Sequence, residues 1–257
     1  MKTLTQTPPT LAATVLGWFA DEEVPSNCGY LSGYTKPKGL TEQCNRLREL
    51  FPGIGYANQD LQTQIEKGEV KPPKYTEGEF AVPNWMKNPM IFGETYSGAL
   101  QKVFNEIRKT RDDRFVNYRE GQINEQCLRQ SVRTQKFWKN ISESQGNQDI
   151  LIVSAQFGIR HRGRSVRRAR EVFQTNEFGL GAFAVGIMVL THPKRLQHYD
   201  DLWIDCAGDE FDDPVAVARF FRAPYFSWFD GKVGFGARWF GRVFEGYGSA
   251  SAFVPQN

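Results

Sequence analysis

The run Ile150-Leu151-Ile152-Val153, entered through Asp149, is apolar without alternation. A strand wetted on one side alternates apolar and polar side chains, so this run predicts a strand buried on both faces, the usual state of a parallel strand inside an α/β sheet. Leu202-Trp203-Ile204-Asp205-Cys206 is a second run of the same kind. Between them, Ser165 reads as the N-cap of a helix to about Phe173 with Val166, Ala169 and Phe173 inward, and Leu180 to Thr191 reads as an apolar helix ended by His192-Pro193. Strand, helices and second strand make a βαβ-like unit. The expected fold class is therefore α/β or α+β, a central βαβ-like core with a mixed sheet, a loop-rich N-terminal third and an antiparallel C-terminal β extension.

The flanks differ in texture. In residues 1–92 Gly and Pro recur, as in Pro52-Gly53, Pro72-Pro73, Pro83 and Pro89, and one short helix stands out, with Thr41 as N-cap, Leu47, Leu50 and Phe51 on its apolar side and Pro52 as its stop. This region is expected to pack on a core at 93–257, or to belong with it to one domain spanning 1–257. Leu100, Val103, Phe104 and Ile107 have the spacing of an amphipathic helix, and Ile123, Cys127, Trp138 and Ile141 suggest a second, looser one. Arg114 to Tyr118 reads as a short strand.

Thirteen of the 35 aromatic residues fall between Phe211 and Phe253, which makes this segment core or interface. Asp230-Gly231 is a two-residue hairpin signal. Phe229 set opposite Lys232 pairs Trp228 with Val233 and Phe226 with Phe235 on one face, and Ser227 with Gly234 and Tyr225 with Gly236 on the other. A last strand over Ala250 to Val254 completes the extension.

At 40% hydrophobic and 24% charged, the composition excludes wholesale disorder. The cysteines Cys28, Cys44, Cys127 and Cys206 form no C-x-x-C unit and read as buried reduced thiols of a cytoplasmic protein, with a Cys28–Cys44 bridge open only on export. The apolar run Leu11 to Ala20 meets Asp21-Glu22-Glu23 without a small-residue cleavage site and reads as a folded segment. The most apolar stretch, Leu180 to Leu190, is well short of the roughly 20 residues of a membrane helix, so no membrane span is expected.

The net charge of +3 conceals a strong segregation. Gly158 to Arg170 holds six arginines and His161 without an acidic group, and Asp200 to Asp213 holds seven acidic residues without a basic one. The guanidinium fork binds phosphate or carboxylate oxygens through paired hydrogen bonds. At the carboxyl end of a buried strand and the start of a helix, Arg160, Arg162, Arg164 and the backbone near Ser165 are candidates to hold an anion, with His161 inside the same loop; Arg167, Arg168 and Arg170, further into the helix, either reach along a polymer backbone or stay solvated. Neither phosphate-loop fingerprint is present. The competing expectation is that these arginines pair with carboxylates of the same chain.

Three functions follow. The first is an anion-binding protein, with nucleic acid or another phosphorylated ligand as partner, whose bases stack on exposed members of Tyr225, Phe226, Trp228, Trp239 and Phe240. The second is a metal-dependent phosphoryl or phosphodiester hydrolase, with Asp205, Asp209 and Glu210 holding Mg²⁺ or Mn²⁺ and Asp205 or His161 as catalytic candidates. In the third, the aromatic C-terminal segment is a surface for a protein partner. His192 and His198 read as a capping or surface pair, and a Cys206 nucleophile is disfavoured by its place in a strand.

Overall fold

The computed structural model describes residues 17–215 and 218–254; most of the Leu11–Ala20 run, residues 11–16, lies outside them. Two sheets enclose a helix that has no polar face. That helix, Ala182–Thr191, follows six others: α1 (Leu40–Leu50), α2 (Gln59–Glu66), α3 (Pro89–Phe92), α4 (Tyr96–Thr110), α5 (Val132–Ser144) and α6 (Val166–Glu171), so it is α7. All ten α7 residues are buried, which explains why this stretch shows no helical alternation in the sequence. Gly186 brings α7 close to Val103 of α4 on one side, where an added Cβ would lie 2.6 Å from the valine methyl.

The first sheet has the order β1 (Gly78–Pro83), β4 (Ile150–Gln156), β11 (Ser251–Phe253), β5 (Glu177–Gly179). The seven residues of β4 are buried, as its unalternated sequence predicts. Its neighbours β1 and β11 are both antiparallel to it, which corrects the expectation of a parallel strand. Two-sided burial reports what covers a strand, not the direction of its partners. The expected βαβ unit fails for a related reason: β6 (Trp203–Asp205) belongs to the other sheet.

The second sheet contains β2 (Phe115–Asn117), β3 (Leu128–Gln130), β6, β7 (Asp209–Phe211), β8 (Arg222–Phe229), β9 (Lys232–Trp239) and β10 (Tyr247–Ser249). β10 runs parallel to β6 and β2 parallel to β9, while the remaining pairs are antiparallel. The fold is α+β with a mixed sheet. The β8–β9 hairpin has the register its sequence predicts, from Phe229 opposite Lys232 through Tyr225 opposite Gly236. The last strand departs from expectation. β11 leaves the hairpin's sheet and inserts between β4 and β5, because Ala250 links the two sheets through its N–H to Asp205 and its carbonyl to Leu180.

The N-terminal third is more regular than its Gly and Pro content suggests. β1 pairs along the whole of its length with β4, and Phe80, Ala81 and Val82 share one core with α4, α7 and Phe235. The α1 N-cap is Gly39 rather than Thr41, whose N–H and hydroxyl both donate to Glu66. The loose second helix resolves into a turn, β3 and α5, the last capped by the Ser131 hydroxyl. Among the described residues no helix is long and apolar enough to cross a membrane, and the four cysteines are free.

Candidate anion-binding site

Beyond β4 the chain passes against β10 at Gly158, whose φ of +130° and 2.6 Å approach of a would-be Cβ to the Gly248 carbonyl leave no room for a side chain. A single turn over Ile159–His161 then leads to α6, where the Ser165 hydroxyl caps the Arg168 N–H at 3.1 Å, as the sequence predicts. The same hydroxyl donates to Glu22 at 2.6 Å.

The arginines of this segment meet glutamates, though not those of the acidic segment. Arg167 forks onto Glu22 through Nε and Nη2. Arg164 and Arg168 converge on Glu23 at 2.9 and 3.1 Å, and Arg168 also reaches Glu171 at 2.8 Å. Arg162 donates to the Cys28 carbonyl at 2.9 Å, and Arg170 donates to the carbonyls of Ala207 and Asp209. Ser165, Arg164, Arg167 and Arg168 are therefore occupied by partners of their own chain.

His161 is buried. Its Nε2 lies 2.7 Å from Glu177 and its Nδ1 faces Arg164 Nη1 at 3.3 Å, an arrangement that assigns the neutral ring with Nε2–H donating. Burial lowers its pKa, with Arg160 and Arg164 adding to the effect against Glu177. Burial also opposes ionisation of Glu177, but hydrogen bonds from His161, Ser251 and the Gln174 N–H outweigh it and hold that carboxyl well below the usual range. With both ring nitrogens engaged and no access to solvent, His161 has no open position for general-base work.

The acidic segment disperses. Asp205 is buried against Arg238 of β9, and burial raises its pKa in spite of that guanidinium. Asp209 accepts the Tyr96 hydroxyl at 2.7 Å and the Ala182 N–H at 2.7 Å, so it caps α7, and burial pushes its carboxyl up to about 7. Glu210 pairs with Arg129 at 2.8 Å. Adjacent residues of a strand point to opposite faces, so Asp209 and Glu210 of β7 diverge. Among the described residues no group of three His, Cys, Asp or Glu side chains is placed to hold a metal ion, and the expected Asp205, Asp209, Glu210 centre for Mg²⁺ or Mn²⁺ does not form. Cys206 is buried and its thiol is pushed far up by desolvation, the opposite of what a nucleophile needs. His192 is buried and ends α7, with Nδ1 facing the Met188 carbonyl at 3.0 Å.

The aromatic residues divide between the two faces of the second sheet. Phe226 is in the core and Trp228 packs against it. Tyr225 lies on the opposite face, stacked on Trp203 at 5.3 Å and 15° and covering Gly236. Phe240 packs with Val166 and Ala223, and Trp239 is half exposed.

Arg160 packs on two side chains that line a pocket. Only its Nε meets Glu177, at 3.1 Å, and its terminal nitrogens have no hydrogen-bond partner among the described residues. The guanidinium carbon sits 4.2 Å from the ring centre of Tyr75 and 5.7 Å from that of Phe253. Both rings line a pocket of about 510 Å³ whose other walls include Lys71, Lys74, Ser154, Gln174 and Asn176. Buried Asn176 Oδ1 has no partner, while its Nδ2 donates to Val254. Glu79 stands behind Ser154 at 2.7 Å, and burial raises its pKa, disfavouring the charge that would repel an anion. Sequence reading reached Arg160 but missed Lys71, Lys74 and Asn176, which no local motif joins to it. It also missed Glu22, Glu23 and Glu177, of which the adjacent pair Glu22-Glu23 was visible only as the end of an apolar run.

No family model matches this sequence, and no curated protein or solved structure is similar enough to count as a match.

Proposed function

We propose that this chain binds a phosphate-bearing ligand, a nucleotide or a single-stranded nucleic acid, in the pocket beside Arg160. The observation that supports this reading is one incompletely paired arginine packed on Tyr75 and Phe253, two walls of an open pocket that Lys71 and Lys74 also line. Lysines supply mobile point charges and the guanidinium supplies a fork, the two forms in which proteins hold phosphate oxygens. Tyr75 and Phe253 give the pocket flat apolar walls beside these cations, suited to a ring attached to the phosphate.

The reading differs from an arginine ladder along a polymer. Three cations on a single strand give a slope of log K against log salt of about −2, whereas a ladder of six would give about −4. Fluorescence anisotropy with a labelled oligothymidylate, competed by a mononucleotide, measures both affinity and slope. Lys71→Ser with Lys74→Ser is expected to weaken binding and reduce the slope to about −0.7. Competition by the mononucleotide alone identifies a nucleotide site, and oligonucleotide binding that resists it identifies a strand. Absence of binding at low salt, or binding indifferent to the double substitution, rejects the proposal.

A further inference from the structure

A second concavity lies between the single turn Trp85–Lys87 and α5. It has a volume of about 640 Å³, inside the range of roughly 300 to 1,000 Å³ typical of small-molecule sites. Trp85, Tyr96, Leu128 and Trp138 form its interior, and Met86 and Val132 form its lips. A narrower recess of about 20 Å³ shares Trp85 and Trp138 with it and reaches Phe183 at the start of α7.

The walls are fixed before any ligand arrives. Tyr96 donates to Asp209 and accepts the Phe183 N–H at 3.2 Å, and its ring packs on Trp85 at 5.8 Å. Trp138 is held edge-on against Phe178 at 5.6 Å. Such preorganisation lowers the ordering cost of binding. The lips are apolar but exposed, Met86 by 51% and Val132 by 83%, an arrangement better suited to a covered surface than to a bare one.

Charge on the rim is uneven. Lys136 and Lys139 stand one turn apart on α5; Lys136 has no ion pair among the described residues, and Lys139 has a long one of 3.9 Å to Glu143. Across the mouth, Arg129 is neutralised by Glu210 and Glu125 accepts the Ser97 hydroxyl. The α5 side is thus the electropositive one.

We propose that this cleft is a separate binding site for a flat aromatic acid, its ring between Trp85 and Trp138 and its anionic group toward Lys136 and Lys139. Aromatic rings prefer offset or edge contacts with indoles, and the two lysines select the charged end. The site is independent of the Arg160 pocket, with which it shares no lining residue.

The probe is 1-anilinonaphthalene-8-sulfonate, a flat aromatic anion, compared with its uncharged relative N-phenyl-1-naphthylamine. Saturable fluorescence enhancement is expected for both, the sulfonate binding more tightly. Lys136→Gln with Lys139→Gln is expected to weaken the sulfonate by about tenfold, corresponding to two partly exposed ion pairs, and to leave the neutral probe nearly unchanged. Val132→Glu, at an exposed position where folding is not at stake, is expected to abolish the sulfonate signal. Lys71→Ser with Lys74→Ser is expected to change neither probe. No saturable binding, or sulfonate binding that survives both the Val132 and the lysine substitutions, overturns the inference.

Discussion

The segments Gly158 to Arg170 and Asp200 to Asp213 carry opposite charge at similar density, yet they reach neutrality by different routes. The basic one gathers a few shared carboxylates: Glu22, Glu23, Glu171 and Glu177 serve Arg160, Arg164, Arg167, Arg168 and His161. The acidic one is scattered, with Asp205 on Arg238, Glu210 on Arg129, Asp212 on Arg219 and Asp213 on Arg119 and Arg222. Multiple donors on each guanidinium let neighbouring arginines share acceptors and stay together. Carboxylates on successive strand positions face opposite ways and are drawn apart. Among the described residues, the arginine hydrogen bonds that reach the acidic segment are those of Arg170, which end on the carbonyls of Ala207 and Asp209.

The largest effect expected from this contrast is at Glu177. Glu177→Gln leaves buried His161 and Arg160 without their carboxylate, and urea unfolding is expected to show a loss of about 3–5 kcal/mol. A loss no greater than that of an exposed pair would mean that the shared network adds nothing to its members.

Next comes a pH effect at Asp209. Its folded pKa of about 7 lies above the ordinary 3.8, so the folded state binds the extra proton between those values. The associated stability is complete below pH 3.8 and is lost as pH rises through 7. Asp209→Asn retains an acceptor for the Ala182 N–H and removes the titration. Relative to the parent chain, the variant is expected to gain about 4 kcal/mol between pH 4 and pH 7, read from urea midpoints across that range. A constant difference across the range would show that the α7 cap stays charged.

The smallest effect belongs to the scattered side. Arg219 is 73% exposed where it meets Asp212, and Arg219→Ala is expected to change stability by about 0.5 kcal/mol or less in the same measurement. A larger loss would make the acidic segment a network like the basic one.

Legibility followed range. The Asp230-Gly231 turn predicted the β8–β9 register, the Ser165 cap predicted the start of α6, and the spacing of Leu100, Val103, Phe104 and Ile107 predicted α4. Each signal lies within a few residues of the structure it specifies. β5 was hidden in Glu177-Phe178-Gly179, too short to show a pattern, and β1 among the prolines of the first third. At the candidate pocket Arg160 was readable as an anion ligand; Lys71, Lys74 and Tyr75, on the loop before β1, and Asn176, on the loop before β5, were not, because no local pattern joins those loops to Arg160.

Sequence by itself determined the hairpin, the Ser165 cap, the buried character of β4 and α7, and the concentration of charge at two connections. The tertiary structure alone decided that β4 has antiparallel neighbours, that β11 crosses into the first sheet, and that Glu22 and Glu23 rather than the acidic segment meet the arginines. Local backbone and periodicity preferences act over a few residues, whereas an ion pair or a strand pairing depends on which distant segments the packed core brings within reach.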